Sequence, residues 1–152
     1  MTDGAFKGLL LLNFASTWFL VGLIWMVQVV HYPLFARVGL AEFVRYETAH
    51  ASLITLVVGP LMLLELLTAL LLLSVWPTSL PPWLGWLGLA LIGLIWLTTM
   101  FVSVPLHARL AQGFDAQVHA LLVATNWIRT LAWTARGLLV GWVLYKTLEQ
   151  VR

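Results

Sequence analysis

The chain has 152 residues, of which 62% are hydrophobic and only 9% charged, with a formal net charge of +2 and a mean hydropathy of +0.98. That composition excludes a water-soluble domain, and the lack of cysteine excludes disulfides, thiolate metal sites and cysteine nucleophiles. The eight Lys and Arg form no basic cluster that would track a phosphate backbone, which argues against a nucleic-acid partner.

The apolar residues come in long runs, and roughly 20 in succession let a helix cross the hydrocarbon core. Four runs meet that length, at 8–30, 51–76, 83–106 and, less purely, 120–145. Residues 1–152 are thus read as one all-α domain, an integral membrane four-helix bundle in antiparallel up-down-up-down order. The first run exceeds a signal-peptide core of roughly 7–15 residues, and no A-x-A-like site follows it. His31-Tyr32-Pro33 is expected to stop the first helix, and Gly39 to precede a second that resumes near Ala41. The leading turns of that second helix, AEFVRYETAH, are amphipathic and would lie at the headgroups. PTSLPP (77–82) is a rigid turn flanked by Trp76, Trp83 and Trp86, an interfacial aromatic belt. In QGFD, Gly113 ends the third helix and Asp115 is a good N-cap for the fourth.

Lys7, Lys146 and Arg152 flank one membrane side, and Arg37, Arg45 and Arg109 the other, so the positive-inside count is balanced. Subtracting the acids leaves the termini side one charge more positive, which places both termini in the cytoplasm, with a bacterial inner membrane as the expected location. Gly85, Gly88 and Gly93 permit a close helix contact, in this chain or in a homo-oligomer.

Laid antiparallel, the four runs bring all four histidines to one end: His31, His50, His107 and His119, one from each helix. Glu47 and His50 share a helix face at i, i+3, as do Gln28 and His31. E-x-x-H steps on facing bundle helices are one way to assemble carboxylate–histidine metal sites, so His31, Glu47, His50, His107 and His119 are the candidate ligands, for iron or copper before zinc. A single histidine at this depth is more simply an interfacial residue; the convergence of four is the signal. Deeper lie Glu65 on the second helix and Asn126, Arg129 and Arg136 on the fourth, ionisable groups of a kind expected to face the bundle interior. At about 1.5 Å per residue Glu65 is roughly 22 Å beyond His50, and Arg136 roughly 25 Å beyond His119. Glu65 is therefore expected to form a structural ion pair with Arg136, or to reach Arg129 if that side chain extends far enough, while Asn126, Arg129, Trp133 and Arg136 form one stripe whose nearer end lies towards the histidines.

Val104-Pro105-Leu106-His107-Ala108-Arg109-Leu110, followed by Asn126-Trp127-Ile128-Arg129-Thr130, resembles the signature of the DUF1772 family, small four-helix membrane proteins that include the anthrone oxygenases. The resemblance covers the second half of the chain, and the first half only in architecture; His107 stands where that family typically has Asn. It implies O₂-dependent oxidation of a hydrophobic aromatic. The leading expectation is therefore a membrane oxidoreductase for a lipophilic phenolic or quinone-like substrate. In it His107 is an acid–base group, Asn126 and Arg129 stabilise a phenolate or enolate oxygen, and Trp127 and Trp133 stack on the ring. Ser52 and Ser103 lack a nucleophile-elbow context. Two alternatives stay open: a haem-b electron carrier with His31 and His119, or His50 and His107, as axial ligands, and a non-catalytic membrane subunit or metal carrier.

Overall fold

The computed structural model describes residues 3–149, and every regular element among them is helical. Helix α1 (Asp3–Met26) passes through a π-helical turn (Val27–His31) into α2 (Tyr32–Phe35). Helix α3 (Leu40–Ser74) follows a short link. Helix α4 (Pro82–Thr98) passes through a second π-helical turn (Thr99–Ser103) into α5 (Val104–Leu110), and α6 (Ala116–Glu149) comes last. The chain thus makes four helical rods. Arg152, one of the flanking charges, lies outside the described residues.

Pro33 does not stop the first rod, contrary to expectation. A proline has no N–H to give, and its ring crowds the carbonyl four residues back. Here a π-turn ends two residues before Pro33, and another ends two residues before Pro105. Each widens the ladder so that the helix runs through the proline, and the extra residue in the turn rotates everything after it. The rods therefore end at Phe35 and Leu110, with Tyr32 and His107 in their last turns. At the third link, Gly113 adopts φ +153°, a conformation that favours glycine. Asp115 then caps α6, its carboxylate accepting the backbone N–H of Gln117 and Val118 at 2.8 and 3.1 Å. Those two bonds hold the Asp115 carboxyl below the usual aspartate range.

Three rods, Gly4–Phe35, Leu40–Ser74 and Pro82–Leu110, are long and apolar enough to cross a membrane. α6 is as long, at 34 residues, but is not among them: Asn126, Arg129 and Arg136 interrupt its apolar run. Those same side chains are buried. The molecule is turned inside out relative to a soluble protein. Asn13, Thr17, Gln28, Glu47, Glu65, Asn126, Arg129 and Arg136 are inside, whereas Leu53, Leu56, Leu131 and Leu138 are exposed, as a hydrocarbon solvent requires.

α6 packs against α1 and α4, α1 also packs against α3, and α3 meets α4 less closely. The register is legible in polar contacts. Asn13 reaches Thr68 and Thr17 reaches Glu65, while His31 meets His50, so positions rising along the first rod meet positions falling along the second. Gly88 lets α4 approach α6: a Cβ there would sit 2.9 Å from the Arg136 guanidinium. Gly85 is likewise filled from within the chain, by Leu73 and Trp76, whereas Gly93 faces nothing within 4 Å.

Candidate functional site

Two polar layers cross the bundle. The deeper one is closed on itself. Arg136 Nε donates to Glu65 Oε1 at 2.8 Å, and its two terminal nitrogens donate to the Gly88 carbonyl and to Asn13 Oδ1, both at 3.0 Å. Glu65 also accepts from Thr17 Oγ1 at 2.7 Å and from the Trp133 indole at 3.1 Å. All four rods contribute, and charge is balanced by charge. This is a structural clamp.

The second layer lies at the histidine end. His107 Nδ1 meets Glu47 Oε1 at 2.5 Å and His107 Nε2 meets the Tyr32 hydroxyl at 2.8 Å. A carboxylate only accepts, so with Glu47 ionised the His107 proton is on Nδ1 and Nε2 accepts from the phenol. The result is a Tyr32–His107–Glu47 chain drawn from three rods, with Glu47 wholly buried and Tyr32 nearly so. His119 Nε2 donates to the Tyr32 carbonyl at 2.7 Å, and its ring stacks on Phe35. His31 Nε2 and His50 Nδ1 share one proton at 2.9 Å, and the His50 ring lies 5.4 Å from that of His107.

Between the layers sits Arg129. Its Nη1 donates to Ser103 Oγ at 3.1 Å and Asn126 Oδ1 at 3.3 Å, its guanidinium lies 5.3 Å from the centre of the Trp133 ring, and the Tyr32 phenol lies beside it. Asn126 is held in turn by Gln28, its amide donating to Gln28 Oε1 at 2.8 Å. Among the described residues every partner of Arg129 is neutral and its Nε has none, and the residue is 93% buried. Seven residues apart on one face of α6, Arg136 thus has a carboxylate and Arg129 has none.

Tyr32, His50, Ser103, His107, Arg129 and Trp133 line a cavity of about 540 Å³ whose remaining wall is mostly apolar. That size suits a small organic molecule. Trp96, whose buried indole N–H has no acceptor, lines it too.

The expected cluster of His31, Glu47, His50, His107 and His119 is therefore brought together, with Asn126, Arg129 and Trp133 next to it. Trp127 is not: it is 40% exposed and packs edge-on against Trp25, one helical step off the buried Asn126–Arg129–Trp133 stripe. As a metal site the cluster does not fit. Among the described residues no group of three or more His, Asp or Glu is disposed to hold an ion. Both His107 nitrogens are engaged, and the facing nitrogens of His31 and His50 bond one another. Of the two axial pairs considered for a haem, His50–His107 does not fit, since both His107 nitrogens are engaged, while His31 and His119 each use Nε2 in a hydrogen bond. Tyr32 and Trp96 escaped the sequence reading as site residues and Ser103 was weighed only as a nucleophile, although Tyr32 and Ser103 each stand within two residues of a helix-embedded proline, where π-turns arise. No protein-family model matches the chain, and no curated protein or solved structure is significantly similar to it.

Proposed function

We propose that the chain is an oxidoreductase of the bacterial inner membrane. It would be an antiparallel four-helix bundle with α6 as the fourth crossing and both termini cytoplasmic, acting on a lipophilic phenolic or quinone-like substrate. The observation that carries the reading is the Tyr32–His107–Glu47 chain on the wall of a largely apolar cavity that also holds an uncompensated Arg129.

The electrostatics favour one event. With His107 neutral, the layer contains Glu47 and Arg129, opposite charges that are not in contact, each with an unpartnered atom. If a substrate O–H, or an activated C–H, passes its proton through the Tyr32 oxygen to His107 Nε2, two contact pairs replace them: imidazolium with Glu47, and substrate oxyanion with Arg129. Opposite charges at low dielectric gain most from contact, and positioned donors aimed at developing negative charge are a main source of rate enhancement. Asn126, fixed by Gln28, positions the guanidinium. The anion left behind is electron-rich. Oxidation of a ring CH₂ to a carbonyl would then consume one O₂ and release one H₂O, and oxidation of a hydroquinone to a quinone would consume one O₂ and release one H₂O₂. The O₂ dependence rests on the resemblance of 104–110 and 126–130 to the anthrone oxygenase family, and no step is routed through a metal.

The test is O₂ uptake by detergent-purified protein with anthrone and alkylated hydroquinones, compared with Glu47→Gln, His107→Gln and Tyr32→Phe. Uptake by the wild type that falls roughly 10²–10⁴-fold in the first two, the usual contribution of a positioned acid–base group, would support the reading. Wild-type uptake no greater than that of empty micelles, or uptake unchanged in all three variants, would overturn it.

A further inference from the structure

We infer that the cavity is loaded sideways from the hydrocarbon, through a gap between α3 and α4–α5, by an uncharged lipid-soluble weak acid that ionises only on reaching Arg129. The inference rests on the proposed acid–base reading of the same site and adds the route and the form in which the ligand travels.

Several observations carry it. α3 touches α4 less closely than α6 touches its neighbours, and the cavity lies along that seam. Its lining includes residues that are exposed on the outside of the bundle: Thr48, Ser52 and Thr55 on α3, and Met100, Val104 and Ala108 facing them. A residue both exposed and lining marks an opening. The three α3 hydroxyls donate to carbonyls four residues back in their own helix, at 2.7 to 3.0 Å, so the rim presents little free polarity. Its flanks are Leu53, Leu56 and Phe101, at 65%, 72% and 70% exposure. These are side chains for lipid rather than for water.

Gly59 lies in the α3 wall, where an added Cβ would meet only the Thr55 methyl at 3.9 Å. The neighbouring Pro60 leaves the Leu56 carbonyl without its helical donor. At the inner end wait Arg129, with neutral partners only, and the unpaired Trp96 N–H. An apolar entrance leading to a buried cation selects a molecule that is neutral while it crosses the rim and anionic once inside. A permanently charged anion would have to desolvate among leucines, and a ligand without an acidic proton would leave Arg129 as it found it.

The experiment uses the full chain in phosphatidylcholine nanodiscs, with radiolabelled 4-dodecylphenol and its methyl ether, 4-dodecylanisole, as probes. The phenol should bind at least about tenfold more tightly than the ether, the worth of one hydrogen bond to a charged group, and Arg129→Gln should erase that preference. Ala108→Trp and, from the opposite rim, Ser52→Phe should slow exchange of bound phenol at least about tenfold while leaving its equilibrium binding within about threefold, because a narrowed entrance acts on association and dissociation alike. Leu138→Trp, on a lipid face away from the seam, should exchange as the wild type does. If one rim variant fails to fold, as judged by circular dichroism and gel filtration, the other decides. Wild-type exchange in a folded rim variant, with the phenol preference still lost in Arg129→Gln, overturns the lateral route and leaves the acid–base site standing. Equal binding of phenol and ether to wild type and Arg129→Gln overturns both.

Discussion

Arg129 and Arg136 lie on one face of α6 and are both buried, yet replacing each with methionine should have very different consequences for stability. Arg136 is held by Glu65, Asn13 and the Gly88 carbonyl. Its removal strands a carboxylate that is 1% exposed, and breaking one side of a buried pair costs roughly 3–5 kcal/mol. At about 1.4 kcal/mol per factor of ten, that shifts the unfolding constant by roughly 10²–10⁴. Adding Glu65→Gln should recover much of the loss, since the stranded charge is then gone. Arg129→Met loses the bonds to Ser103 and Asn126, each worth at most roughly 1.5–3 kcal/mol. It also removes the desolvation penalty of an uncompensated ion, itself several kcal/mol. The two contributions nearly cancel, so Arg129→Met should fall within about 1 kcal/mol of the wild type or above it, by the same reasoning. Equilibrium unfolding in mixed micelles, titrated with a denaturing detergent and followed by circular dichroism and tryptophan emission, measures both. If Arg129→Met costs as much as Arg136→Met, Arg129 has a counter-charge that the geometry does not reveal, and the anion-binding argument fails.

Gly88→Ala places a methyl against Arg136 Nη1 at 2.9 Å; it should destabilise by roughly 1–3 kcal/mol, as overpacking does, in the same detergent titration. Asp115 has its pKa lowered by the two backbone N–H groups it accepts, so its contribution to stability should be complete above the unfolded value near about 4 and fade as pH falls through the lower folded value. Asp115→Asn keeps a capping oxygen and should flatten that acid limb, read as unfolding midpoint against pH; an unchanged limb would show that the cap is not what titrates. Elemental analysis of protein purified without chelators should find no stoichiometric iron, copper or zinc. Stoichiometric metal lost in both His50→Ala and His107→Ala would mean that the imidazoles leave their present hydrogen bonds to bind it.

Much of the architecture could be read from residue order. Runs of 20 or more apolar residues admit few structures other than membrane-crossing helices, because every backbone N–H and C=O must be satisfied within the segment. Gly113 and Asp115 delimit the third link for purely local reasons, a backbone conformation suited to glycine and a side-chain cap. Reading the four runs as helices of alternating direction is enough to gather His31, His50, His107 and His119 at one end and to match Glu65 with Arg136 in depth.

Which partners those histidines take was decided only by the tertiary structure. Spacing shows that Glu47 and His50 share a face, but not that Glu47 Oε1 meets the His107 ring while His50 turns to His31. That difference separates an acid–base chain from a set of open metal ligands. It depends on the two π-turns, each of which adds one residue and so roughly 100° of rotation, and which lead through Pro33, read locally as a break, and Pro105 to bring Tyr32 and His107 into contact. Likewise, the depth estimate matches Glu65 to Arg136, but residue order does not say what surrounds Arg129. Only the packing of α1, α3 and α4 around α6 gives Arg129 neutral partners and a place on a cavity wall. Helix formation and membrane insertion are local and compositional, whereas the pairing of buried charges is a property of the assembled bundle, in which each polar group is satisfied only by neighbours distant in sequence.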